Sequence, residues 1–190
     1  AATPRQDLLR KTTLLLHPNF PHSSVQTLGW MDGELVALEA PGWLPRFFIN
    51  ALGARAYGFW LTTEDPSHRD NRVLATNPPT LDYDPRRTPG AWAEHRKLIS
   101  AVRNTLMAQG LFGSAKTMPL GATAHACGTL SAGADSTQSV VGADGRVHGL
   151  NNLYVADGSV LTRASRVNPA LTIYAWGLRV GQHLEPTTTP

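Results

Sequence analysis

Cysteine is almost absent from this sequence. Cys127 is the only one in 190 residues, so no internal disulfide can form and the redox compartment stays open. Charge is sparse as well: 16% of the residues are charged, with a formal net charge of +3. The 17 lysines and arginines are scattered, which argues against the clustered basic face of a nucleic-acid binder. No stretch nears the roughly 20 apolar residues that a membrane span needs. There is no H-E-x-x-H and no cysteine pair, and His17, His22 and His68 do not fall at metal-ligand spacing. No G-x-S-x-G elbow marks a serine hydrolase. The start, Ala1-Ala2-Thr3-Pro4-Arg5-Gln6-Asp7, has neither an initiator Met nor a secretory apolar core. The chain is therefore expected to begin after trimming, after processing, or partway through a longer polypeptide.

What is present describes a globular chain. Hydrophobic residues make up 42%, and the length suffices to bury a core in one large domain or two small ones. Proline (14) and glycine (17) punctuate it throughout, which predicts short strands, turns and a few helices. An apolar run at Leu14-Leu15-Leu16 stops at His17-Pro18. Val25 to Glu39 alternates loosely around Met31-Asp32-Gly33, which suggests a hairpin. Ala56 to Thr63 reads as a strand and Asp65 to Asn71 as a loop.

Two helices stand out. Thr88 and Pro89 form a start signal; Trp92, His95, Ile99, Val102 and Leu106 recur at helical spacing, and Gly110 closes the element. The second helix starts at Asn168-Pro169 and runs to about His183, and its apolar Ala170–Leu178 stretch predicts burial. Between them the texture turns to small residues, Gly121-Ala122-Thr123-Ala124 and Ser131-Ala132-Gly133-Ala134, which let backbone approach backbone or a flat ligand. Leu153-Tyr154-Val155-Ala156 reads as a short strand ending at Asp157-Gly158.

The order and spacing of five motifs carry more information than any one of them. They are His125-Ala126-Cys127-Gly128-Thr129, Ser139-Val140-Val141, Arg146-Val147-His148-Gly149, Asn152 to Ser159, and Asn168-Pro169-Ala170-Leu171-Thr172. Together they resemble the C-terminal part of the glucose–methanol–choline (GMC) family of flavin oxidoreductases, specifically over about Met118 to Leu184. Thr62 to Pro66 and Asp70 to Leu74 extend the likeness, as does Leu15-Leu16-His17-Pro18. Where many members carry Cys-Arg-Met-Gly after the Gly-Thr, this chain has Leu130-Ser131-Ala132-Gly133. Gly142 stands where members often have Asp. Both departures bear on the substrate rather than on the chemistry.

The resemblance implies a mixed α+β, α/β fold. Residues 1–135 would be mostly an antiparallel-sheet substrate domain with packed helices. Residues 136–190 would supply the last strand and helix of a Rossmann-like FAD-binding domain. It also implies a catalytic pair, His125 and Asn168. An imidazole, with an ordinary pKa near ~6.5, takes a hydroxyl proton at neutral pH, and a carboxamide holds the same oxygen without competing for that proton. Ala156, Asp157, Gly158, Asn168, Pro169 and Ala170 would lie against the flavin of FAD. There a helix start favours negative charge on the ring. Asp157 is read as bonding a loop, a ribityl hydroxyl or nothing special, His148 as structural, and Cys127 as a buried inert thiol.

The family's G-x-G-x-x-G nucleotide fingerprint cannot be assigned anywhere in the chain. The implied partner is therefore an FAD-binding N-terminal half, present as a separate chain or a cleaved fragment, and the implied substrate is a small alcohol or sugar. Expressed alone, the chain is expected to be colourless and poorly soluble. A catalytically silent scaffold or binding subunit is the competing reading, and retention of both His125 and Asn168 argues against it. A carbohydrate-binding module built on Trp30, Trp43, Trp60 and Trp92 is weaker, because Trp92 falls on the buried helical face.

Overall fold

The computed structural model describes residues 13–31, 33–122 and 125–184. The first residues of the chain, Asp32, Thr123 and Ala124 lie outside them. The chain packs as two compact units, Ala1–Thr62 and Thr63–Pro190.

In the first unit β1 (Leu14–His17) turns through Pro18-Asn19 into β2 (Phe20–Trp30), and the two pair antiparallel from Leu14↔Gln26 to His17↔Phe20. The His17 ring accepts from the Asn19 amide at 3.1 Å and so closes the turn. β3 (Tyr57–Thr63) forms where a strand is expected and lies beside β2 in a three-stranded sheet. The hairpin expected around Met31-Asp32-Gly33 is not there. Gly33–Glu39 forms a helix, α1, which packs on α2 (Arg46–Gly53). Glu, Leu and Ala favour a helix over a second hairpin arm, and Gly33 fits beside the Asn50 side chain, where a Cβ would have no room.

The second unit opens with a small hairpin, β4 (Arg72–Leu74) against β5 (Thr80–Asp82). Arg87 ties it to the preceding loop, donating to Asp82 at 2.9 Å, Asn71 at 3.0 Å and the Asp70 carbonyl at 2.7 Å. α3 (Pro89–Ala108) follows with Pro in its first turn, as the sequence indicates. Thr88 precedes it without capping it: its hydroxyl donates to Asp65 Oδ1 and the Pro85 carbonyl instead. Trp92, His95, Ile99, Val102 and Leu106 share the partly covered face, on which Leu98 is the most buried residue. Gly110 adopts a φ of +72°, and the bonds Gly110 N–H to Met107 O and Leu111 N–H to Leu106 O close the helix as a Schellman motif.

His95 is the titratable group on that face. Its Nδ1 lies 2.9 Å from the Thr63 hydroxyl, and burial pushes its pKa below the ordinary imidazole value. The neutral form is thus favoured in the folded state, so this contribution to stability is present above about pH 6.5 and is lost as the pH falls through the lowered value. Melting temperatures are expected to decline as the pH drops from about 6.5 toward 5, with a shallower decline in His95→Gln. An unchanged slope in that variant would remove His95 from the effect.

The rest of the unit is built from single bridges rather than long strands. Val141 bridges Ala132 and Val147, and Arg146 bridges Tyr154. The strand expected at Leu153–Ala156 is reduced to that last bridge, because only the short stretch around Arg146 pairs with it, through Val147 N–H to Leu153 O and Val155 N–H to Gly145 O. α4 (Ala170–Leu184) lies across these segments. Trp176 Nε1 donates to the Val155 carbonyl at 2.8 Å and Arg179 Nε to the Ala143 carbonyl at 2.6 Å. Val141, Val160 and Val180 are the fully buried aliphatics of this core. The expected burial of α4 is found on one side only: Leu171, Tyr174 and Leu178 are 82%, 75% and 71% exposed. The helix is apolar on both faces, and these segments cover one of them. No helix among the described residues is long and apolar enough to cross a membrane.

Candidate active site

Two loops and the start of one helix bring the chemistry-bearing residues together. The loop after His125 is held by the turn Gly158–Val160. Ser159 O accepts from the amides of Gly128 at 3.1 Å and Leu130 at 3.0 Å, and Val160 O accepts from Ala132 at 2.9 Å. Asp157 builds that turn, its Oδ1 accepting from the Ser159 amide at 2.9 Å and from the Ser159 hydroxyl. Those two bonds hold the Asp157 carboxyl below the usual carboxylate range. Asp157 thus bonds within its own loop.

The segment leading to Asn168 is fixed from the other side. Asp65 N–H donates to Ala164 O at 3.2 Å, and Arg163 pairs with Glu64 at 3.0 Å. Asp65 is anchored in turn by the Tyr83 hydroxyl at 3.0 Å; burial first, then that carboxylate, pushes the phenol up to about 12. Asn168 and Pro169 precede α4, whose regular turns start one residue later than expected, at Ala170. The first closing bond runs from Ile173 N–H to Pro169 O at 2.9 Å.

His125 Nε2 and Asn168 Oδ1 lie 3.3 Å apart, although 43 positions separate them in sequence. Both side chains are exposed. The contact is a hydrogen bond when Nε2 carries the proton and donates to Oδ1. The two polar ends thus face one another across a single contact, with the imidazole tautomer setting the donor.

The other candidates fall into structural roles. His148 Nε2 lies 3.2 Å from the Gly133 carbonyl and 3.1 Å from the Ser139 hydroxyl, which keeps the loop closed. Cys127 is half-buried, and burial pushes its thiol up, away from the reactive thiolate. No group of three His, Cys, Asp or Glu side chains suited to a metal occurs among the described residues. Sequence reasoning missed Ser159, whose carbonyl holds the His125 segment. An Asp-x-Ser pattern, in which a carboxylate binds the backbone two residues on, is the signal that points to such a turn.

The sequence profile of GMC oxidoreductase matches residues 67–177, more than half of the 190 and inclusive of both His125 and Asn168. The chain belongs to the GMC oxidoreductase family. Its match is to the family's C-terminal portion. Similar proteins include 6'''-hydroxyparomomycin C oxidase of Streptomyces lividus, 45% identical over 60 residues, or 32% of this chain and 11% of the relative. Paromamine 6'-oxidase of Streptomyces fradiae is 47% identical over 55 residues, 29% of this chain and 10% of its own length. C-glycoside 3-oxidase of Microbacterium trichothecenolyticum is 40% identical over 73 residues, 38% and 14% of the two chains. The matched stretches thus span 10 to 14% of the relatives' own length.

GMC oxidoreductases are generally FAD-dependent, and the residues present fit one side of that cofactor. Ala156, Asp157, Asn168 and Ala170 are exposed, whereas Gly158 and Pro169 are buried. The amides of Ala170, Leu171 and Thr172 open α4 without a carbonyl partner among the described residues. Unpaired helix-start amides suit a group that carries negative charge.

Proposed function

We propose that this chain is the C-terminal portion of an FAD-dependent oxidoreductase that oxidises a CH–OH carbon of a sugar or other small alcohol. His125 accepts the hydroxyl proton and Asn168 orients the same oxygen. The observation that carries the reading is the 3.3 Å approach of Nε2 and Oδ1 inside a stretch matched to the family. Residues 1–135 belong mostly to the substrate domain. Residues 136–190 complete the Rossmann-like FAD-binding domain, with Ala156, Asp157, Gly158, Asn168, Pro169 and Ala170 against the flavin. An N-terminal half, as a separate chain or a cleaved fragment, holds the nucleotide. The exposed Leu171–Tyr174–Leu178 stripe supports a covering segment of this kind.

When bound, FAD supplies the acceptor for the hydride that leaves the substrate carbon. This chain's residues handle the proton. His125 Nε2 takes it from the hydroxyl, and Asn168 Oδ1 then holds the N–H in place, so the proton does not return to the oxygen as the C–H bond breaks. The first-turn amides of α4 favour negative charge beside them. The relatives' names, a paromamine 6'-oxidase and a C-glycoside 3-oxidase, favour a non-anomeric hydroxyl of a glycoside as the substrate group.

The test is reconstitution. Alone, the chain is expected to be colourless; with the N-terminal half it is expected to turn yellow and lose its flavin absorbance on anaerobic addition of a glycosidic alcohol. A yellow protein that no alcohol or sugar bleaches would overturn the reading.

A further inference from the structure

We infer that Gly158 is a positioning residue that sets the spacing between His125 and Asn168. The inference rests on the reading of that pair as the reactive one. A Cβ placed at Gly158 would meet Ile173 Cδ1 at 2.9 Å, Ile173 Cγ1 at 3.4 Å and the Ala126 carbonyl oxygen at 3.4 Å. These two neighbours belong to the two elements that carry the pair. Ala126 adjoins His125, and Ile173 makes the first closing bond of the helix that Asn168 and Pro169 introduce. Gly158 is buried, so the slot has no spare volume toward solvent. Its backbone is not in the left-handed region, so adding a methyl there acts by crowding and not by strain.

The rest of the turn and of α4 prevents easy relief. Ser159 O grips Gly128 and Leu130, which ties the His125 segment to the turn, and Asp157 locks the turn itself. On the helix side the same face of α4 is seated twice more. Gly177 lies over the Ala156 carbonyl, with 3.7 Å left for a Cβ, and Val180 presses on Gly145. Carbon atoms rest about 3.5–4.0 Å apart, so alanine at 158 must displace the Ile173 side chain, and the start of α4 with it wherever that side chain cannot turn away. Misplacement by about 1 Å costs on the order of a hundredfold in rate.

Four variants of the complete enzyme test this: Gly158→Ala, Ile173→Val, the double variant, and His125→Ala for reference. Gly158→Ala is expected to lower kcat per bound flavin by roughly tenfold to a hundredfold, with flavin content kept and KM moved by less than about threefold. Ile173→Val removes Cδ1, and the double variant is expected to regain kcat to within about threefold of Ile173→Val. Crystal structures are expected to show the Nε2–Oδ1 separation widened in Gly158→Ala and restored in the double variant. If Gly158→Ala yields no folded enzyme, Ile173→Phe presses on the slot from the helix side and carries the same expectation. Full kcat in Gly158→Ala would overturn the proposal. So would a loss that Ile173→Val leaves unrelieved while flavin content falls, which would leave contact with the flavin as the sole role of Gly158. Full activity in His125→Ala would instead overturn the reading of the pair, a result separable from any outcome at Gly158.

Discussion

Replacing His125 with alanine is expected to lower turnover by about a hundredfold to ten-thousandfold while leaving flavin content and melting temperature near those of the parent. The size follows from the task. A positioned base that accepts a hydroxyl proton contributes on that scale, and the described residues offer no second imidazole beside Asn168. The small effect on stability follows from exposure. The His125 ring is solvent-facing and has Asn168 as its recorded hydrogen-bond partner, so its removal opens no cavity and orphans no buried group. Asn168→Ala is expected to reduce turnover less, and the double variant little more than His125→Ala alone, because two groups in contact act as a unit. Single-turnover flavin reduction under anaerobic conditions measures the step directly. Parental rates in His125→Ala would remove the residue from the mechanism, and additive losses in the double variant would show the two side chains acting separately.

The parts of the chain legible in the sequence are those where several local signals agree. α3 has a Thr-Pro start, a 3.6-residue apolar rhythm and a closing Gly, and it lies where those signals place it. The meeting of His125 and Asn168 was legible only through the order of motifs, since no periodicity links positions 43 apart. Other features were hidden for physical reasons. Gly33–Glu39 is too short for an apolar pattern to separate helix from strand, and its neighbour α2 decides the matter. Leu153–Ala156 has the composition of a strand, yet a ladder needs a partner of matching length and only a short one is present. Asp157 has several possible bonds, and the local one to Ser159 is made because it requires no distant group to be ordered. The apolar residues of α4 announced a buried helix; how much of it this chain covers is a tertiary property that composition does not carry.

Gly145→Ala is expected to destabilise the folded chain by about 2–5 kcal/mol, the largest effect on stability among the glycines of the C-terminal packing. Two independent penalties add there. Gly145 holds a φ of +82°, which costs an L-residue about 1–2 kcal/mol. Its Cβ would also lie 2.5 Å from Val180 Cγ2 and 3.3 Å from the Val155 carbonyl oxygen. Val180 is buried and cannot swing aside into solvent, and overpacking of this kind costs about 1–3 kcal/mol. Nor can the turn move away, since the Gly145 amide donates to Gly142 O at 3.0 Å and its carbonyl accepts from Val155 at 2.9 Å. Gly149 separates the two penalties. Its φ is +79°, yet nothing lies within 4 Å of its Cβ position, so Gly149→Ala should show the backbone penalty alone. Denaturant unfolding of the complete enzyme and of both variants measures the difference. Equal losses would mean that Val180 yields freely, and α4 would then lack the rigid seat from which Asn168 is held against His125.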